Sequence, residues 1–111
     1  MQTLIKEYIR GVNSQPRGIV VAIRENDEVL YGYSLLNTAM DRFDKTLGLE
    51  IALKRAHSKK GYQLPDTQER YEIVMQSLNR IQERALKYFK DLPEDKVKFE
   101  VQEDNVVSIS V

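Results

Sequence analysis

The most informative stretch of the chain is IVVAIRENDEVLYGYSLL, residues 19–36. It opens with a run dominated by branched apolar side chains, which suits a strand covered on both faces. The polar residues 25–28 predict a short turn, and the apolar residues 29–36 predict the partner strand of a β-hairpin. Gly32 lies inside that second strand, where a glycine indicates a β-bulge or the close approach of another element.

A second hairpin is predicted near the end of the chain. Apolar residues alternate with polar ones on both sides of a polar turn at residues 103–105: Val97, Phe99, Val101, Val107, Ile109 and Val111. Such alternation produces one apolar and one polar face, as in an antiparallel sheet with one side exposed to water.

Two helices are predicted between the hairpins. The first covers roughly residues 45–59, with Asp44 as its cap. One row of its side chains at four-residue spacing comprises Phe43, Leu47, Ile51 and Arg55, with Ala52 and Ala56 beside it. Gly48 is unfavourable in a helix interior, so we expect it in the first turn or in close contact with the sheet.

The second helix has the clearest pattern in the sequence. Asp66 precedes Glu69 by three residues, which is the reciprocal arrangement of a capping box. An apolar stripe at spacings of three and four then follows: Tyr71, Val74, Leu78, Ile81, Ala85 and Phe89. Residues 91–93, which include Pro93, end the helix.

The first residues are compatible with two structures. Apolar side chains recur there at helical spacing, which favours an additional N-terminal helix over residues 3–12, while alternation as a strand stays open. The order is then helix, hairpin, two helices and hairpin. It predicts a single α+β domain over residues 1–111, in which two β-hairpins build an antiparallel sheet and both main helices pack on one face.

The composition excludes several classes of protein. The 111 residues contain 17 Lys and Arg, 17 Asp and Glu, one His and no Cys. Without Cys there are no disulfides, thiol nucleophiles or Cys-ligated metals, and one His leaves few metal or catalytic-triad geometries. We therefore expect no metal and no other cofactor. The longest apolar run, residues 19–23, is too short to span a membrane, so we expect a cytoplasmic protein with no membrane partner.

The zero net charge conceals two oppositely charged segments. Residues 41–60 hold six cations against three anions, and residues 93–111 hold two against five. The basic region 42–60 is a candidate phosphate surface of a nucleic-acid or nucleotide binding module. Its candidate residues are Lys45, Lys54, Arg55, Lys59 and Lys60, with Tyr62 placed to stack on a base or sugar. The other interpretation is an ordinary helix C-terminus, where cations offset exposed carbonyls.

Tyr31 and Tyr33 form a second candidate binding surface. They project from the same face of their strand. If that face is open, the two rings are available to a flat ligand or a partner chain. If it is closed, they cover the edge of the core.

The chain shows no catalytic constellation. Ser34 does not lie in a nucleophile elbow. His57 lies among cations, and we expect it to be exposed. The spacing of Asp41, Asp44 and Glu50 matches no recognised metal-binding loop. We therefore expect a non-enzymatic protein.

One further pattern runs from residue 17 to residue 56. It comprises RGIVVA at residues 17–22, GYS at residues 32–34 and the spaced letters DxFDKxxGxxIAxxRA at residues 41–56. This pattern resembles small phage and prophage accessory proteins of unassigned function. The resemblance implies a protein that acts in the bacterial cytoplasm on host machinery or a host defence, and it implies no catalytic residues.

Together these observations favour a small interaction protein that forms a homo-oligomer or binds a host protein. The predicted hairpins leave an end strand available for pairing, and the oppositely charged segments suit a complementary contact. The alternative function is the nucleic-acid or nucleotide binding module over residues 42–60.

Overall fold

A three-stranded antiparallel sheet forms the centre of the computed structural model, which describes residues 4–11, 14–36, 42–58, 61–102 and 106–108. Its strands are β1 (Leu4–Arg10), β2 (Pro16–Glu25) and β3 (Glu28–Leu35), in the order β1-β2-β3. The predicted first hairpin is therefore confirmed, with a first strand that is longer than expected. Asn26 forms its turn with a φ of 57°, a left-handed conformation that Asn tolerates well.

The first segment is a strand, so the predicted N-terminal helix is wrong. Apolar side chains spaced four residues apart lie on one face of a helix, but they also lie on one face of a strand, because four is an even number. In β1, Ile5 and Ile9 enter the core on one side of the sheet, while Leu4 and Tyr8 pack on the other. Both sides of β1 thus contact apolar residues, which a strand accommodates and a single apolar helix stripe does not.

The two main helices cover opposite faces of this sheet. Helix α1 (Lys45–Ala56) packs with Ile19 and Val21, whereas α2 (Gln68–Tyr88) packs with Val20 and Ala22. The α+β class and the two main helices are confirmed, but their predicted placement on one face is wrong. The physical reason lies in β2, whose side chains are apolar on both faces and require a covering layer on each side.

Helix α1 begins at the predicted cap and lies very close to the sheet. The Asp44 carboxylate accepts hydrogen bonds from the N–H groups of Thr46 and Leu47, at 2.9 and 3.1 Å. Gly48 lies in the first turn, as expected, against Phe43. The buried face consists of Gly48, Ala52 and Ala56 rather than the predicted row, and Leu47 is 53% exposed.

Gly32 makes this close packing possible. A Cβ atom at residue 32 would clash with the Ala52 carbonyl oxygen and lie 2.8 Å from the Ala56 nitrogen. The pairing of β2 with β3 runs from Gly18 to Glu28 without a register shift. Of the two predicted roles of Gly32, the structure therefore confirms the close approach and not the bulge.

Helix α2 carries the predicted apolar stripe but not the predicted cap. Buried residues along it include Val74, Leu78, Ile81 and Ala85. The residue before the helix is Thr67, which makes no side-chain cap bond, so the Asp66–Glu69 capping box is wrong. Glu69 instead lies 3.2 Å from the Arg17 guanidinium, and this long-range contact replaces the local one.

A second, small sheet contributes side chains to the apolar core on the α2 side of the central sheet. It contains β4 (Tyr62–Gln63), β5 (Glu100–Val101) and β6 (Val106–Ser108) in the order β4-β6-β5. The antiparallel pair of β5 and β6 confirms the predicted terminal hairpin, although it joins β4 rather than the central sheet. Val97 was expected in a strand but lies in the short helix α3 (Glu94–Val97), while residues 103–105 and 109–111 lie outside the described residues.

None of the described helices has both the length and the apolar character needed to cross a membrane.

Candidate functional site

The two outer edges of the central sheet differ, and β3 forms the closed one. The Tyr62 hydroxyl donates a hydrogen bond to the Tyr31 carbonyl at 2.6 Å. The Arg55 guanidinium donates a hydrogen bond to the Tyr33 carbonyl at 3.0 Å. It also stacks over the Tyr33 ring, 4.5 Å from the ring centroid. Side chains from outside the sheet thus satisfy two of the outward backbone acceptors of β3 that another strand would need.

Tyr31 and Tyr33 do not form an open surface. They are 3% and 5% exposed and lie in the core on the α2 side of the sheet. The Tyr33 hydroxyl donates to the Gln63 carbonyl at 2.8 Å, and burial raises the pKa of this hydroxyl. The Tyr31 hydroxyl is buried without a hydrogen-bond partner in the described part of the chain, and burial raises its pKa as well. Of the two interpretations of this pair, the structure supports the covering of the core.

Tyr62 is likewise not available to stack on a base. Its ring lies 5.8 Å from that of Tyr33, and its hydroxyl is used in the bond to β3. Burial raises the pKa of this hydroxyl strongly. The position of Tyr62 directly after the basic segment suggested recognition of a ligand, whereas its role in the structure is to close the β3 edge.

The predicted basic residues that the structure describes lie at opposite ends of α1. Lys45 lies at the start of α1, with its ammonium 5.2 Å from the Tyr8 ring centroid. Arg55 lies in the last turn of the same helix and reaches β3, while Lys54 is exposed. Lys59 and Lys60 lie outside the described residues. Lys45 and Arg55 are ten positions apart in the helix, a distance of about 15 Å along the axis.

A cleft of about 600 Å³ opens beyond the end of β3. Its walls include Tyr33, Arg55 and Arg70, and Gln63 and Asp66 lie on its rim. Arg70 donates to the Leu36 carbonyl at 2.6 Å. Arg70 carries no local signal in the sequence, because it lies on the polar side of a long amphipathic helix.

The outer edge of β1 is open by comparison. Of the residues that the structure describes, none forms a strand against this edge. Nor does any described side chain cap the backbone of Lys6 or Tyr8. An edge strand in this condition offers backbone donors and acceptors to another chain.

The direction of the β1 backbone groups follows from the register. Tyr33 directs its carbonyl away from β2, where its partner is Val20. Because bonded and non-bonded pairs alternate in an antiparallel ladder, Val20 directs its own groups towards β1, and its partner there is Glu7. Glu7 therefore bonds to β2, and its neighbours Lys6 and Tyr8 direct their N–H and C=O groups outward.

A groove of about 400 Å³ follows the open edge between β1 and α2. Ile9 and Ile73 are the apolar residues of its lining, and Glu7 and Arg80 are among the charged ones. The buried Oε2 atom of Glu7 lies 3.0 Å from the Arg84 guanidinium, in a geometry that makes an ion pair but no hydrogen bond. The groove thus combines apolar walls with charged groups that a docked strand can contact.

The opposite side of the same edge is partly apolar. Tyr8 contacts Phe43 edge to face, with ring centroids 6.4 Å apart, and Leu4 and Leu49 are only partly buried. These side chains extend the α1-side core up to the free edge of the sheet.

The remaining candidate residues have structural roles. His57 is exposed, as expected, and its Nδ1 atom lies 3.2 Å from a Glu25 carboxylate oxygen. Asp44 caps α1, and Asp41 lies outside the described residues. Within the described ranges, no group of three or more acidic or His side chains is placed to hold a metal ion.

No family model, no curated protein and no solved structure matches the chain. The resemblance to phage accessory proteins therefore stays a prediction.

Proposed function

We propose that the protein is a small non-enzymatic interaction module that self-associates through the outer edge of β1. The observation that carries this proposal is the outward direction of the backbone groups of Lys6 and Tyr8, at an edge that no described element covers. The phage-type context and the cytoplasmic location predicted from the sequence belong to the same proposal.

A second copy of the chain is the partner that this geometry favours. Two identical β1 edges can pair antiparallel about a two-fold axis, which joins the sheets into one of six strands. Its outer edges are then the two β3 strands, which Tyr62 and Arg55 cap. Because capped edges do not recruit further strands, the assembly ends at a dimer.

The side chains of β1 suit this pairing on both faces. In the register of greatest overlap, Lys6 of each copy lies opposite Tyr8 of the other, where an ammonium and an aromatic ring attract each other. On the α2 side the two Glu7 residues meet, and Arg80 and Arg84 supply positive charge next to them. Arg80 makes no ion pair within the described part of the chain, so it is available to a second carboxylate.

The test measures molar mass by light scattering over a range of concentrations. The wild-type chain of 12.9 kDa is expected to double its mass, and Lys6→Pro is expected to remain a monomer. Proline at an outward-facing edge position removes the pairing donor without breaking a bond to β2, so the circular dichroism spectrum should not change. Lys6→Val keeps the donor and serves as the matched control, which should still dimerise.

Two results would contradict the proposal. One is a wild-type chain that stays monomeric at high micromolar concentration, which would leave a host protein as the remaining partner. The other is a Lys6→Pro chain that dimerises as well as the wild type.

A further inference from the structure

The cleft beyond β3 carries positive charge that the protein does not neutralise. Some arginines of the molecule meet carboxylates, as Arg24 does with Asp91 at 2.7 Å. Neither Arg55 nor Arg70 makes such an ion pair within the described residues. The acidic residue of the cleft is Asp66, which is exposed on its rim. Two guanidinium groups against one exposed carboxylate leave the cleft with a net positive charge.

Both guanidinium groups are held in position. Each donates a hydrogen bond to a backbone carbonyl, Arg55 to Tyr33 and Arg70 to Leu36. Both also lie close enough to the Tyr33 hydroxyl to lower its pKa, against the larger effect of burial, which raises it. Because a guanidinium has five N–H donors, each side chain keeps several for a ligand.

We infer that this cleft binds the phosphate group of a small phosphate monoester, with Arg55 and Arg70 as its ligands. Planar guanidinium groups bind phosphate oxygens in pairs, and two of them offset the charge of a dianion. The volume of about 600 Å³ is within the usual range of small-molecule sites. Thr67, which makes no cap bond to α2, adds a hydroxyl beside the arginines for the rest of the ligand.

This site differs from the basic surface expected from the sequence. It uses Arg55 together with Arg70 from another helix, and it does not use Lys54, which is exposed on α1. Lys54→Gln is therefore a matched control for Arg70→Gln, since each removes one positive charge from a helix.

The experiment is a calorimetric titration of the full chain with ribose 5-phosphate, inorganic phosphate and ribose. We expect saturable binding of ribose 5-phosphate and none of ribose. Arg70→Gln should weaken the binding by about tenfold or more, as expected for loss of charge-assisted hydrogen bonds. Lys54→Gln should change it by less than about twofold, because its charge lies outside the cleft.

A measurement on the wild-type chain does not depend on the folding of a variant. Addition of ribose 5-phosphate should shift the NMR signals of the Arg55 and Arg70 Nε–H groups and leave those of Arg24 in place. The inference is overturned if ribose 5-phosphate does not saturate the protein at millimolar concentration, or if inorganic phosphate binds and ribose 5-phosphate does not. It is also overturned if Arg70→Gln and Lys54→Gln lose affinity equally.

Discussion

The two edge strands of the central sheet, β1 and β3, both pair with β2, but the outer edge of β3 is capped and that of β1 is open. Along β3, an arginine and a tyrosine from other elements occupy two outward carbonyls, at 3.0 and 2.6 Å. Along β1, the equivalent groups of Lys6 and Tyr8 meet no capping side chain in the part of the chain that the structure describes. The difference shows that a sheet edge is closed by donors supplied from outside the strand, and not by the strand's own residues.

The largest expected effect concerns the packing that holds β3 in place. Gly32→Ala puts a methyl group against the backbone of α1, which cannot move without the whole helix. We expect a loss of about 3 kcal/mol in the free energy of unfolding, measured by urea denaturation. Gly11→Ala, next to β1, meets only the flexible Arg17 side chain at 2.9 Å and should cost less than about 1 kcal/mol. Equal losses in the two variants would show that α1 does not fix β3.

The next effect concerns the closed edge itself. Tyr62→Phe removes the donor to the Tyr31 carbonyl and leaves that acceptor unpaired. We expect a loss of about 1–3 kcal/mol in the free energy of unfolding. Tyr88→Phe makes the same change at a residue that is 55% exposed, and it should have almost no effect. A Tyr62→Phe chain as stable as Tyr88→Phe would mean that the cap does not stabilise this edge.

Two neighbouring tyrosines of β3 should respond in opposite directions. Tyr33→Phe removes the bond to the Gln63 carbonyl, and we expect it to lower the free energy of unfolding by about 1 kcal/mol. Tyr31→Phe removes a buried hydroxyl that has no partner among the described residues, so stability should stay equal or rise. Chemical denaturation of the two variants side by side tests this difference. Equal destabilisation would indicate that the Tyr31 hydroxyl is hydrogen-bonded.

The smallest effect lies away from both edges. The hydrogen bond from Arg24 lowers the pKa of Asp91 below its ordinary value of 3.8. Asp91 therefore stabilises the folded state when the pH is above its ordinary pKa. This contribution is lost as the pH falls through the lowered pKa of the folded state. In thermal melts at a series of acid pH values, Asp91→Asn should lack this acid-dependent loss of stability. The control Asp95→Asn, at an exposed residue, should retain it. Neither variant should change the molar mass, because neither residue lies on β1. An acid profile of Asp91→Asn identical to that of the wild type would contradict the assignment.

Local patterns predicted much of the fold and little of the site. The hairpin over residues 19–36 and the stripe of α2 were predictable because both depend on neighbouring residues. The first strand was not predictable, because apolar residues four positions apart fit both the periodicity of a helix and that of a strand. The residue before α2 is Thr67 rather than the predicted Asp66, and Glu69 pairs with Arg17 instead of closing a capping box.

The edge caps and the cleft could not be predicted because they depend on long-range contacts. Tyr62 meets the Tyr31 carbonyl across 31 positions of sequence, and Arg70 meets that of Leu36 across 34. The basic segment singled out Arg55, but Arg70, which lines the same cleft, lies on another helix. Knowledge of which helix covers which face of the sheet is required before such pairs can be recognised.

The most direct test of the account is residue-resolved amide hydrogen exchange in β1 at several protein concentrations. The Lys6 and Tyr8 amides should become protected as the concentration rises, because they pair only in the dimer. The Ile5 and Glu7 amides, which bond to β2, should be protected at every concentration. Unprotected exchange of Lys6 and Tyr8 at all concentrations, with Ile5 and Glu7 protected throughout, would contradict self-association through β1.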